Sequence, residues 1–216
     1  MPNKNFKEPN LIDFLDLVSL GTVCDVVPLI GLNRAIVKQG LKVLKTKKNL
    51  GLKTLIDICG INTQPNIYHM GYVLGPRINA GGRVGKSSHG ANLLLNNNAK
   101  EVFKIASELD LFNKERQYLE EDVLNKIAIE ANKTQSDPVI ILSGKNWHEG
   151  VIGIVASRLK DKFNKPVIII TVDKNLGKAS ARSIIGFDIG SIIIAAMQEK
   201  ILIKGGGHKM AGGFTI

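Results

Sequence analysis

The run VIILSGKNWHEGVIGIVASRLKDKFNKPVIIITV, residues 139–172, decides the fold. It opens on a continuous apolar segment, VIILSG at 139–144, and closes on another, PVIIITV at 166–172. Between them, GVIGIVASRLKDKF places Val151, Ile152, Val155 and Leu159 on one side of a helix. Apolar strands alternating with an amphipathic helix predict a sheet covered on both faces. Downstream, GKASARSI (177–184) reads as a third strand and IGSIIIAAMQEK as a helix, and Phe214-Thr215-Ile216 begins a last strand.

Upstream the pattern changes. From Ala99 to Lys133, Val102, Ile105, Leu109, Phe112, Leu119, Val123 and Ile127 recur at helical steps, with Arg116 the one polar residue in that row. Glycine and proline are absent between Lys100 and Lys133, which predicts one helix of about 30 residues, some 45 Å long, joining two lobes. The region before it reads as mostly helical. LIDFLDLVSL (11–20) forms a helix that Gly21 should end, followed by the β-branched run TVCDVVPLIG holding Asp25. Asn33 should cap the helix RAIVKQGLKVLK, LKTLIDIC should form a short helix closed by Gly60, and residues 67–74 another.

Four clusters break ordinary packing rules. Gly75-Pro76-Arg77-Ile78-Asn79-Ala80-Gly81-Gly82-Arg83 reads either as a phosphate-reading loop or as a solvated one. Trp147-His148-Glu149-Gly150 lies between a strand and a helix, where open α/β sheets bind ligands, so His148 reads as a phosphate donor or acid, or as a helix cap. In Lys178-Ala179-Ser180-Ala181-Arg182-Ser183, alternation puts Lys178, Ser180 and Arg182 on one strand face. That face suits an anion pocket, or an exposed edge strand. Gly205-Gly206-Gly207-His208 reads as a nest of backbone amides for an anion, or as a flexible turn.

The 216 residues contain 44% hydrophobic side chains, enough for a sizeable core, and carry a net charge of +10. Such charge fits an anionic partner, usually nucleic acid, or a lysine-rich proteome. Two cysteines, Cys24 and Cys59, provide no disulfide framework and point to a reducing cytoplasm. Lys4, Lys7, Glu8, Asp13 and Asp16 interrupt any signal-peptide core, and no apolar run reaches membrane-spanning length. Acidic metal ligands are scarce. Asp25, alone in its apolar run, reads as a single ligand, since a buried aspartate is costly without a cation.

In this order, LDLVSLGTVCDVVPL, GLNRAIVKQGL, GLKTLI, LGPRINAGGRVG, WHEGVIGIVASRL, GKASARSI and GGHKMAGG resemble the RecJ family of single-strand-specific 5′→3′ DNA exonucleases, within the DHH phosphoesterase superfamily. The resemblance covers essentially the whole chain. It implies an α/β architecture in three parts: the mostly helical C-terminal part of a DHH domain at 1–97, a connecting helix at 98–135, and at 136–216 a DHHA1 α/β domain with a mixed sheet, truncated at its C-terminus. It implies two Mn²⁺ or Mg²⁺ ions with Asp25 a metal ligand, and His208 beside the scissile phosphate with Gly206 and Gly207. Arg77, Asn79, Arg83 and His148 would contact single-stranded DNA, running between the lobes, while Ser180 and Arg182 hold its 5′ phosphate.

A cytoplasmic monomer in DNA repair and recombination is implied, with no membrane association and with a single-strand-binding protein or a helicase as partners. The family's aspartate-rich and DHH motifs would precede Met1, so the chain is expected to bind DNA weakly and cut nothing. Two alternatives stand beside this: a DHH phosphodiesterase for oligonucleotides or cyclic dinucleotides, and a non-catalytic nucleic-acid-binding module.

Overall fold

The computed structural model describes residues 8–216. The expectations at Lys4 and Lys7, and residues 1–7 of the first region, lie outside the described residues. The chain divides into two compact units, the first ending at Asn113 and the second spanning Lys114–Ile216.

The first unit is helical. After a 3-10 turn at Leu11–Phe14, α1 spans Leu15–Cys24, α2 Gly31–Lys45 and α3 Leu50–Ile58. A π-helical segment, His69–Leu74, runs directly into α4 (Gly75–Val84), and α5 spans His89–Leu95. The core gathers Leu44, Leu52, Leu55, Ile56, Met70 and Leu74 with Leu109 of the long helix α6 (Ala99–Lys133). Where α1 crosses α2, the bare backbone of Gly40 admits Ser19, whose hydroxyl reaches Leu15 O (2.5 Å) and Ile36 O (3.1 Å).

Three local expectations are corrected here. Gly21 does not end the first helix: α1 continues through TVC, because its apolar side chains pack against the rest of the unit and outweigh the modest cost of a helical glycine. The stop comes at Asp25-Val26, where Val26 takes a left-handed φ of 55°. The next helix begins at Gly31 rather than after Asn33, whose side-chain amide donates to Pro28 O at 3.1 Å. The glycine-rich stretch after Leu74 is not a loop. Pro76 sits in the first turn of α4, and the helix uses the amides that a phosphate-reading loop would present.

The second unit is α/β. Strands β1 (Ile140–Lys145), β2 (Val167–Asp173), β3 (Leu176–Arg182), β4 (Lys204–His208) and β5 (Ala211–Thr215) form one sheet in the order β1-β2-β3-β5-β4. The β1–β2 pair is parallel and the other pairs are antiparallel, giving the mixed sheet expected. Helix α7 (Glu149–Phe163) packs Val151, Ile152, Val155 and Leu159 on Ile140, Leu142, Val167 and Ile169, joined by Val123, Ile127 and Ala131 of α6. Helix α8 (Ile189–Gln198) covers the other face, setting Ile189 and Ile193 against Ala181, Ile168 and Phe214.

Arg116, the polar interruption in the α6 row, is buried with a partner one turn on, donating to Glu120 Oε2 at 2.6 Å, and Arg158 of α7 also pairs with Glu120. The pair of arginines compensates a carboxylate that is only 1% exposed.

Burial holds Asp16 (2% exposed) above the ordinary carboxylate range, opposed by the Leu17 amide that donates to its Oδ1 at 2.8 Å. A raised native value means the fold favours the protonated form. That contribution is fully present below the unfolded value of about 4 and is lost as pH rises through the native value. Asp16→Asn keeps the acceptor without the charge. It should raise the melting temperature at pH 7, with the gain closing as pH falls below about 4. Thermal unfolding at both pH values checks this.

Candidate nucleic-acid-binding site

The sheet register builds the site. Opposed residues of an antiparallel pair share a face. Lys178 pairs with Thr215 and Thr215 with Lys204; Ser180 pairs with Gly213 and Gly213 with Gly206; Arg182 pairs with Ala211 and Ala211 with His208. These nine positions form a tray of three rows on the α7 side of β3, β5 and β4. Its middle row is glycine-bared, and cationic or imidazole side chains stand at its four corners. The alternation expected at 178–182 holds: Lys178, Ser180 and Arg182 share this face, while Ala179 and Ala181 are buried on the other.

The arginine end is pre-organised. Arg182 Nη1 donates to Ser180 Oγ (3.1 Å) and to Ala181 O (2.8 Å). Ser180 accepts there, so its own hydroxyl proton can serve a ligand. His208 Nδ1 accepts from the Met210 amide at 3.3 Å, which puts the neutral ring's proton on Nε2. His148 repeats this. As N-cap of α7 its Nδ1 accepts from the Gly150 amide at 3.0 Å, and Nε2–H remains as donor. The histidine is thus a helix cap by one nitrogen and a donor by the other. Trp147 packs against the α7 core with its ring over Gly144 and has no place in the tray.

The GGGH stretch is corrected. It is the edge strand β4, not an amide nest, and its backbone pairs along one side with β5. Register also separates its glycines. Gly206 faces the tray with open space above it. Gly207 lies on the opposite face, where an added Cβ would come within 2.6 Å of Ala211 O.

Asp25, Arg77, Asn79 and Arg83 belong to the first unit. Asp25 is exposed at the C-terminal end of α1, contrary to the buried setting expected, because the chain leaves the core there through the left-handed Val26. A β-branched residue in that region is strained. The end of α1 meets the start of α4, since a Cβ on Gly75 would lie 2.4 Å from Cys24 Sγ. Asn79 and Arg83 are exposed one turn apart on α4. Arg77 is engaged internally: Nε donates to Asp110 Oδ1 at 2.8 Å and Nη1 to Val73 O at 2.9 Å. Burial pushes the Cys24 and Cys59 thiols up, so both are inert and free.

No cluster of three or more His, Cys, Asp or Glu side chains able to hold a metal occurs among the described residues. Asp25 offers one carboxylate, and the donors present do not make an ion cage. No described helix is long and apolar enough to cross a membrane.

A family model for the DHHA1 domain matches residues 136–216. The tray, β3, β5, β4 and the start of α7 all lie within the matched residues. The whole chain is similar to proteins named single-stranded-DNA-specific exonuclease RecJ. It is 38% identical to that of Salmonella typhimurium over 99% of this chain and 39% of the relative, and 38% identical to that of Bacillus subtilis over 94% and 26%. The structure of Thermus thermophilus RecJ in complex with Mn²⁺ matches with a TM-score of 0.84 at 34% identity, covering 96% of this chain and 31% of that one. The Mg²⁺ complex matches at 0.81 and 33%. The chain therefore spans well under half the length of the curated relatives it matches.

Sequence reading missed Gly153, Gly213 and Lys204. Gly153 lies in the helical pattern of α7, and a Cβ there would come within 2.9 Å of both Arg182 Nη2 and Ser180 Oγ. Gly213 and Lys204 join the tray only through strand pairing, which no local pattern announces. Gly153→Ala should gain about 1 kcal/mol of intrinsic helix preference. It should nevertheless weaken binding of 5′-phosphorylated oligonucleotides about tenfold by displacing one charge-assisted contact. Melting temperature and fluorescence-anisotropy titration together check this, and unchanged binding would show that Gly153 does not make room for Arg182.

Proposed function

We propose that this chain is the end-holding part of a divalent-metal-dependent 5′→3′ exonuclease acting on single-stranded DNA. The observation that carries the reading is the Arg182–Ser180–His208 end of the tray. There a guanidinium fork and a hydroxyl meet on β3, and an imidazole N–H stands on the same face two strands across on β4, beside the bare positions Gly213 and Gly206. Such donors match the oxygens of a terminal phosphate. Gly206 and Gly213 let the sugar-phosphate chain approach the sheet. The likeness to single-strand-specific exonucleases over nearly all of the chain supports the same substrate.

In this reading Arg182 and Ser180 bind and orient the 5′ phosphate. His208 donates from Nε2 to an oxygen of the neighbouring phosphate, and His148 does the same from the α7 N-terminus. On α4, Asn79 and Arg83 offer exposed polar side chains to a sugar-phosphate backbone, with Arg77 held by Asp110 as a support for that helix. Asp25 contributes one carboxylate toward the ions that RecJ structures contain, whose chemistry would be activation of water and neutralisation of phosphate charge.

The test is binding of single strands with and without a 5′ phosphate. The phosphorylated strand should bind more tightly, with affinity falling as salt rises. Arg182→Ala should remove most of the preference, about 1.5–3 kcal/mol, which is roughly tenfold to a hundredfold. Equal affinity of the unaltered chain for both ends would sink the assignment. Preference for cyclic dinucleotides over long strands would transfer the site to a phosphodiesterase of the same superfamily.

A further inference from the structure

The lysine end of the tray is left unexplained by a terminal-phosphate site. A cavity of about 590 Å³ opens on the tray, and its walls are Lys178, Lys204, Thr215, Ser180, Ile152 and Glu149, with Gly213 beneath; neither Arg182 nor His208 lines it. Lys178 and Lys204 stand on strands two apart, about 10 Å across the sheet. The Lys178–Thr215–Lys204 row lies four residues from the Arg182–Ala211–His208 row, about 13 Å along the strands. Gly213 and Gly206 of the middle row lie between the two ends, so a strand crossing β5 and β4 meets no side chain there.

We propose that the Lys178–Thr215–Lys204 row is a further phosphate subsite, which takes an internal phosphodiester beyond the one that His208 meets, on the strand whose terminal phosphate lies at Arg182. This rests on the end-holding reading above and deepens it: the tray recognises at least three phosphates of one strand, the terminal one at Arg182, its neighbour at His208 and a further one at the lysine row.

The one acid on the cavity wall, Glu149, works as a place-holder. Lys178 Nζ donates to Glu149 Oε1 at 2.5 Å, and both side chains are about half exposed. Exposed pairs of this kind contribute little net stability, so a phosphate can draw Lys178 away at small cost. Glu149 lies in the first turn of α7, where the helix dipole keeps its charge settled once Lys178 has turned to the ligand. The pairing therefore tempers affinity for internal phosphates without blocking the subsite.

The experiment compares thymidine 5′-monophosphate, the 5′-phosphorylated trinucleotide pTpTpT and a 5′-phosphorylated ten-nucleotide thymidine strand, titrated against the full chain. Lys204→Gln and Lys178→Gln, both at exposed positions, should each leave monophosphate binding unchanged and weaken pTpTpT three- to tenfold. Each should also flatten the salt dependence of the longer strand by about 0.7 in logarithmic slope per lost phosphate contact. Glu149→Gln should tighten the longer strand. Binding of pTpTpT no tighter than the monophosphate, or equal loss of both ligands in the lysine variants, overturns the lysine subsite while leaving the Arg182 site standing. Failure of the unaltered chain to bind any of the three rejects the end-holding reading, and the subsite with it.

Discussion

The antiparallel pairing of β3, β5 and β4 carries the arrangement, because it converts three unconnected stretches of sequence into one surface. A slip of one residue in either pair would send Lys204, Gly206 and His208, or Lys178, Ser180 and Arg182, to the α8 side. That side is closed. Gly205 and Gly212 lie against Ile193, and the backbone of His208 lies against Gly190 at about 3 Å from where a Cβ would stand. The close fit of α8 to one face thus holds the register, and the register holds the tray open on the other.

Glycine does two different jobs across this sheet. On the α8 face it lets a helix sit down on strands at backbone distance. On the tray face, Gly206 has nothing near it, and its bareness is exposed to solvent. Glycine in a strand interior weakens pairing, and an edge strand of three glycines is a poor stabiliser of its sheet. A chain that folds around such a strand keeps it for what can approach it. Gly153 belongs with these although it lies in a helix, because its missing Cβ is the room in which Arg182 and Ser180 sit.

The first unit shows a related compromise. Its helices enclose a sound apolar core, yet α1 stops in a strained valine beside an exposed aspartate, and the helix that follows Leu74 presents Asn79 and Arg83 outward. The end of α1 and the start of α4 touch through Cys24 and Gly75, so two motifs some fifty residues apart in the chain meet within one unit. Arg77 and Asp110 brace α4 against α6 from within.

The alternation in KASARS, the amphipathic run of α7 and the uninterrupted pattern of α6 were legible directly, since period and breaker residues are local properties that the chain carries into any environment. Likeness to a known family extended this to the mixed sheet and to the residues of each motif. Local reading failed where glycine was concerned. Gly21 and the glycines of GPRINAGGRV look like breaks but lie inside helices, and GGGH looks like a nest but is a strand. A glycine's own preferences are nearly flat, so its conformation is set by what packs around it. By itself, then, the sequence determined which segments are strands or helices wherever side chains impose a period. Only the tertiary structure decided which face each glycine bares, that Lys204 and Gly213 join Ser180 and Arg182, and that Gly153 makes their room, because these are matters of pairing and close approach between segments remote in the chain.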